Sequence, residues 1–180
     1  MSILKQFLIL LCVICLLSAC DKNTELMKSV LDDDKEQISK LLDAGVQINE
    51  KNNYGWTALI HAARKGNADI VKLLLDKGAD VNAQDNRGWT ALMRASSKGY
   101  LDTVELLLQY GADVEKQDDQ GWTAILWAVN QGNKDVVKKL IKSGANVNVK
   151  SKDGRSAAMI AISEDDNEML QLLRDAGAEF

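Results

Sequence analysis

Histidine and cysteine, the usual ligands of zinc and frequent catalytic residues, are scarce in this 180-residue chain. The chain has one histidine, His61, and its three cysteines all lie within the first twenty residues. A zinc site needs three or four ligands, mostly histidine and cysteine, so His61 has too few partners to form one. The sequence also lacks a glycine-rich phosphate loop and a Gly-x-Ser-x-Gly motif. We therefore expect no catalytic residue, no metal and no cofactor.

Clusters of aspartate are the other candidates for chemistry. They occur at Asp32–Asp34, Asp118–Asp119 and Asp165–Asp166. Calcium would be a functional interpretation, but the spacing is not that of a calcium-binding loop. Each cluster falls where the chain is expected to turn, and we interpret all three as solvated turns. Composition alone leaves a carboxylate pair for hydrolysis open, although nothing in the sequence specifies one.

The N-terminus has the pattern of a secretory signal peptide. Lys5 precedes an uncharged run over residues 7–17, which is too short to span a membrane, and Ser18-Ala19 are the small residues expected before a cleavage site. The quartet 17–20, Leu-Ser-Ala-Cys, resembles the lipobox of bacterial lipoproteins. That resemblance implies removal of residues 1–19, lipidation of Cys20 and a short tether over residues 20–23. An ordinary signal peptide with a free Cys20 and an uncleaved anchor helix are the alternatives.

The lipobox resemblance also implies a location. The protein would face the periplasm from a membrane of the bacterial cell envelope, held there by its acyl chains alone. Asp21 is similar to the residue that retains enterobacterial lipoproteins in the inner membrane, and Lys22 weakens that signal. The outer membrane therefore remains open as an alternative.

A 33-residue period organises the rest of the sequence. The motif Gly-Trp-Thr-Ala-Leu at 55–59 returns at 88–92 and as Gly-Trp-Thr-Ala-Ile at 121–125, with a weaker copy at 154–158. A second glycine recurs at the same step, at positions 45, 78, 111, 144 and 177. The threonine can cap a first helix, and an apolar second helix follows whose face is too wide for an isolated helix. Stacked units must bury that face.

This period and motif resemble those of ankyrin repeats. The resemblance implies an all-α solenoid of helix-turn-helix units joined by β-hairpin loops, with about five units including the caps. Alanine stands where the family has proline after the threonine, and the family's next histidine is replaced by Ile60 and its counterparts. The expected units are an N-terminal cap over 24–54, repeats over 55–87, 88–120 and 121–153, and a C-terminal cap over 154–180.

In ankyrin arrays the hairpin tips and the inner helix faces form the binding groove. The tryptophans after the glycines would stack there as an aromatic ladder beside basic residues, and aromatics and arginines dominate interface energetics. The tryptophans can equally serve the fold alone, and Trp127 is favoured for contact because its counterparts differ between units. The candidate partner-binding residues are Tyr54, Trp56, His61, Arg64, Lys65, Arg87, Trp89, Arg94, Lys98, Gln120, Trp122 and Trp127.

Charge narrows the class of partner. The net charge is -4, which disfavours nucleic acid as a ligand. The basic candidate surface instead predicts a protein with an acidic or polar patch, bound by a monomer. The favoured function is a lipid-anchored, non-catalytic protein-binding scaffold. The alternatives are an immunity protein against a periplasm-delivered toxin, an accessory factor for a periplasmic enzyme and, from another class, a small-ligand carrier or a hydrolase.

Overall fold

The computed structural model describes residues 22–179. The predicted signal peptide, Cys20 and Asp21 lie outside the described residues. Within 22–179 no helix is long and apolar enough to cross a membrane. The described helices, in five consecutive pairs, are α1 (Glu25–Leu31) with α2 (Lys35–Asp43), α3 (Ala58–Lys65) with α4 (Ala68–Asp76), α5 (Ala91–Lys98) with α6 (Leu101–Gln109), α7 (Ala124–Asn130) with α8 (Lys134–Lys142), and α9 (Ala157–Ser163) with α10 (Asn167–Asp175).

The repeated hydroxyl residue begins the first helix of each later pair. Thr57, Thr90 and Ser156 accept a hydrogen bond from the backbone N–H three residues ahead, at 3.2–3.3 Å. These bonds satisfy amides that have no partner within the helix, as the sequence predicts. Thr123 differs, because its buried Oγ1 has no hydrogen-bond partner among the residues that the structure describes. The prediction of a side-chain cap is therefore wrong for α7, although the helix begins at the expected residue.

The helices form two rows, one of first helices and one of second helices, and the two rows bury residues of different size. The first helices bury an alanine at one repeated position, at Ala62, Ala95, Ala128 and Ala161. The second helices fill the space between the rows with branched residues, among them Leu74 in α4, and each such burial is worth about 1.5–3 kcal/mol. Because alanine lets backbones approach, the first helices pack more closely on one another than the second helices do.

The loops between pairs end in tight turns that are tied together in series. The backbone N–H of Asn86 donates to the backbone carbonyl of Tyr54 at 3.0 Å, and equivalent backbone bonds join the next tips. Within the described residues these tips contain no strand beyond one isolated bridge, between Lys150 and Ser156. A Cβ on Gly88, whose φ is +78°, would lie 2.8 Å from the Cα of Asp118 in the next tip. Glycine is thus required both by the turn and by the close approach.

The two caps use aspartate where the middle repeats use glycine. Asp33 and Asp165 have φ of 57° and 53° at the position that Gly66 occupies in the first full repeat. The following aspartates, Asp34 and Asp166, cap α2 and α10 with their side chains. The interpretation of these two acidic clusters as turns is confirmed.

Candidate functional site

A short polar acceptor organises each hairpin tip. It stands three residues before the tip glycine, at Asn52, Asp85, Asp118 and Ser151. Asp85 Oδ1 accepts from the amides of Arg87 and Trp89 at 2.8 and 3.0 Å. The acceptors at Asn52, Asp85 and Ser151 were not predicted from the sequence. A short side chain that can bond its own turn, repeated in one register, was the available signal.

Asp118 corrects the interpretation of its cluster as a solvated turn. Its side chain is buried, while the neighbouring Asp119 is exposed. The Asp118 carboxylate accepts from the amides of Gln120 and Trp122, both at 2.9 Å, and from Trp127 Nε1 at 3.0 Å. Three donors compensate for the loss of water around the charge. Asp118 is therefore a structural residue of the tip.

Each buried aspartate reaches the residue nine positions later. Arg94 Nη2 donates to Asp85 Oδ2 at 2.7 Å, with side-chain exposures of 19% and 2%. Burial lowers the pKa of Arg94 from its usual value, Asp85 opposes that shift, and Arg64 and Arg87 add to it. A guanidinium keeps its charge in spite of such a shift. In the next unit the same geometry joins Asp118 to an indole, that of Trp127.

The predicted aromatic ladder exists, but its tryptophans alternate with residues of the first helices. Arg94 lies over Trp56 at 4.6 Å and over Trp89 at 4.1 Å, measured from its guanidinium carbon to the ring centroids. The Trp127 ring lies 4.3 Å from Trp89 and 4.5 Å from Trp122. We call this series the aromatic stack, and from its N-terminal end it contains Arg64, Trp56, Arg94, Trp89, Trp127, Trp122 and Arg155.

Direct stacking of the three tip tryptophans is thus a wrong expectation. Packed helices lie about 8–10 Å apart, whereas aromatic rings interact at centroid distances of about 4.5–7 Å. A second ring or a guanidinium must fill each gap. Trp122 is only 6% exposed, and Trp127 is half-buried between two rings. The stack therefore holds the tips together, and most of its surface is unavailable to a partner.

Other predicted residues remain open to solvent. Tyr54 is 52% exposed, and Arg64, Arg87, Lys98 and Gln120 are also exposed. Tyr54, Arg87 and Gln120 are equivalent in register and form one line along the tips. Arg64 lies where α3 ends, with its guanidinium carbon 5.2 Å from the Trp56 ring centroid.

A cleft of about 380 Å³ gathers half of the predicted residues at the N-terminal end of the array. Buried His61 lies at one wall, its ring 4.8 Å from that of Trp56. The cleft also includes Asn23, Asn52, Asp85 and Asn86, which the sequence did not single out. The predicted residues that line the cleft are Tyr54, Trp56, His61, Arg64, Arg87 and Arg94.

Lys65 and Lys98 lie at the C-terminal ends of α3 and α5, whereas the hairpin tips precede the N-terminal ends of these helices. Lys98 and Arg64 line a second hollow together with Tyr100. Lys65 lines it too, but its Nζ contacts Asp33 Oδ2 at 2.6 Å and also donates to the Leu31 carbonyl. Lys65 is therefore used to attach the N-terminal cap. Across residues 22–179, no three histidine, cysteine or carboxylate side chains are placed to hold one metal ion.

Comparison with known proteins agrees with the fold. Curated relatives include a protein named ankyrin repeat, SAM and basic leucine zipper domain-containing protein 1. The mouse form is 35% identical over 52 residues, and the armadillo (Dasypus novemcinctus) form is 34% identical over 58 residues. These matches cover 29% and 32% of the chain but span only 11% and 12% of the relatives.

The family described as "Ankyrin repeats (3 copies)" matches residues 26–118 and 113–180. The two matches together include every helix pair of the described structure. Membership of this family therefore explains the 33-residue period, the stacked helix pairs and the tips together. The chain belongs to the ankyrin-repeat family.

Proposed function

We propose that this protein is a non-catalytic scaffold, held at the periplasmic face of a bacterial membrane by a lipidated Cys20, that binds a protein partner through its tips and first helices. Ankyrin repeats generally mediate protein–protein interaction and are typically without catalytic activity. The partner carries an acidic or polar patch, since the exposed candidate residues include Arg64, Arg87 and Lys98.

The observation that carries this proposal is the line of exposed tip residues. Tyr54, Arg87 and Gln120 recur at one repeat step, and the backbone between them is fixed by the amide–carbonyl bonds from tip to tip. The aromatic stack also connects the same tips through their tryptophans. A surface fixed in this way loses little conformational entropy when it binds, which favours affinity.

The partner is sought by affinity purification from native membranes, followed by mass spectrometry. We expect one protein to be recovered reproducibly, and its recovery to fall when Tyr54→Ala and Gln120→Ala are combined. The matched control combines Lys72→Ala and Lys138→Ala, two exposed residues of the second helices. Recovery that is insensitive to the tip variant but lost with the control variant would overturn the proposed surface.

The lipid anchor is tested separately, because it depends on the lipobox resemblance alone. Globomycin blocks the peptidase that processes lipoproteins, so we expect an unprocessed precursor to accumulate in treated cells. Cys20→Ser is expected to release the processed chain from membranes or to block its processing. Normal processing in the presence of the drug contradicts the anchor and leaves the protein-binding surface unaffected.

A further inference from the structure

The cleft at the N-terminal end of the array concentrates positive charge on an otherwise acidic protein. Three arginines line it, whereas Asp85 is the single carboxylate among the described residues that line it. Arg94 and Asp85 neutralise each other, since their side chains meet at 2.7 Å. Across the described part of the chain, neither Arg64 nor Arg87 has a carboxylate within 4 Å. Among residues 22–179, the cleft therefore presents two guanidinium groups that no carboxylate compensates.

Aromatic groups form the other wall of the cleft. Two guanidinium groups contact the Trp56 ring, that of Arg64 at 5.2 Å and that of Arg94 at 4.6 Å from its centroid. Exposed Tyr54 stands beside it on the same tip. Stacking on an indole restricts a long arginine side chain, so that Arg64 is partly preorganised. The cleft thus joins an oriented cation to an apolar surface.

We propose that this cleft binds an acidic side chain of a partner polypeptide, with Arg64 and Arg87 contacting the carboxylate and exposed Tyr54 packing on an adjacent apolar residue. This inference rests on the proposed protein-binding function and names the chemistry that its partner presents. Guanidinium groups match the planar carboxylate with paired hydrogen bonds. A volume near 380 Å³ is at the small end of ligand pockets, which suits a short segment.

Charge favours a polypeptide over an anionic membrane as the occupant. Attraction to lipid head groups uses clusters of about four to eight basic residues. The cleft has two uncompensated arginines, and the whole chain has a net charge of -4. A bilayer would meet that net negative charge over a wide area, whereas a single carboxylate meets only the local cations.

The test uses two synthetic hexapeptides with blocked ends, one alternating glutamate with leucine and the other glutamine with leucine. Binding to the protein is measured by calorimetry and by the indole N–H signals in NMR spectra. We expect the glutamate peptide to bind at least tenfold more tightly than the glutamine peptide and to shift the Trp56 signal. Arg64→Ala combined with Arg87→Ala should abolish that preference, and unchanged circular dichroism would show that this variant is folded.

Arg155→Ala is the matched control, because Arg155 also stacks on a tryptophan, Trp122, but at the far end of the stack. It should change the affinity for the glutamate peptide less than twofold. Equal binding of the two peptides would overturn the cleft proposal, as would binding to phosphatidylglycerol vesicles with no binding to either peptide. A partner recovered equally by the protein and by the double arginine variant refutes the cleft alone, whereas recovery of no partner at all refutes the scaffold function.

Discussion

Trp127 donates its indole N–H to the buried carboxylate of Asp118 at 3.0 Å, and Arg94 donates to Asp85 in the same register one repeat earlier. The donor differs between the two units, but the acceptor is an aspartate in both. Each aspartate also accepts two amides of its own turn. One carboxylate therefore connects each tip to the helix that follows it. The residue nine positions after the aspartate can differ between units, as Arg94 and Trp127 do, and still serve the fold.

Removing the carboxylate of Asp118 should destabilise the array strongly. Asp118→Ala leaves the amides of Gln120 and Trp122 and the Trp127 indole without their acceptor, and each donor left unsatisfied in a buried position costs about 1–3 kcal/mol. We expect a loss of about 3 kcal/mol or more in urea unfolding followed by circular dichroism. Asp119→Ala, at the exposed neighbour, should change stability by less than about 0.5 kcal/mol. Equal effects of the two substitutions would show that the Asp118 bonds contribute little.

The Asp85–Arg94 pair should show strong coupling in a double-mutant cycle. Either single substitution to alanine leaves the other charge buried without its partner, which costs more than removing both. We expect a coupling energy of about 1–3 kcal/mol from urea unfolding. The exposed pair formed by Lys77 and Asp43 provides the control, and its coupling should remain below about 1 kcal/mol. Similar values for both pairs would contradict a special role for the buried one.

Much of the fold could be predicted because a period is visible along the chain. The 33-residue step, the capping threonines and the glycines predict the stacked helix pairs, and the structure has them. The failure at Asp118 has a physical cause. A doubled aspartate in a turn is usually solvated, and burial of the Asp118 carboxylate is favourable because the Trp127 indole adds a third donor to the two turn amides. That indole lies on the next helix, where turn composition alone does not indicate it.

The candidate site was less predictable than the fold for a related reason. The register predicts that Trp56, Trp89 and Trp122 recur along the tips, but it does not state how wide the gap between successive rings is. Arg94 and Trp127 fill those gaps, and they thereby change from candidate contacts to members of the stack. Tyr54, by contrast, is exposed as the sequence suggested. Which side chains remain available is thus decided by packing between units.

Gly88 and Gly154 separate the effect of backbone conformation from that of crowding. They are equivalent residues with φ of +78° and +83°, but a Cβ meets the next tip only at Gly88. Gly154→Ala should cost about 1–2 kcal/mol for the left-handed conformation. Gly88→Ala should cost about 1–3 kcal/mol more, because the added carbon forces adjacent tips apart. Urea unfolding of both variants checks this, and equal losses would show that the tips are not in close contact.

Asp166 should make the stability of the C-terminal cap depend on pH. Its pKa lies below the usual value because the Met169 amide donates to the carboxylate, and Lys134 adds to that effect. The pKa of Asp166 is lower in the folded state than in the unfolded state, where it is about 4. The stabilisation is therefore complete above about pH 4 and is lost as the pH falls through the lowered folded-state pKa. Asp166→Ala should cost about 1 kcal/mol at pH 7 through loss of the helix cap. Asp166→Asn keeps a capping oxygen without the titration, so the stability difference between it and the parent should shrink between about pH 5 and pH 2. A difference that stays constant over that range, measured by urea unfolding at each pH, would show that the Asp166 charge does not stabilise the cap.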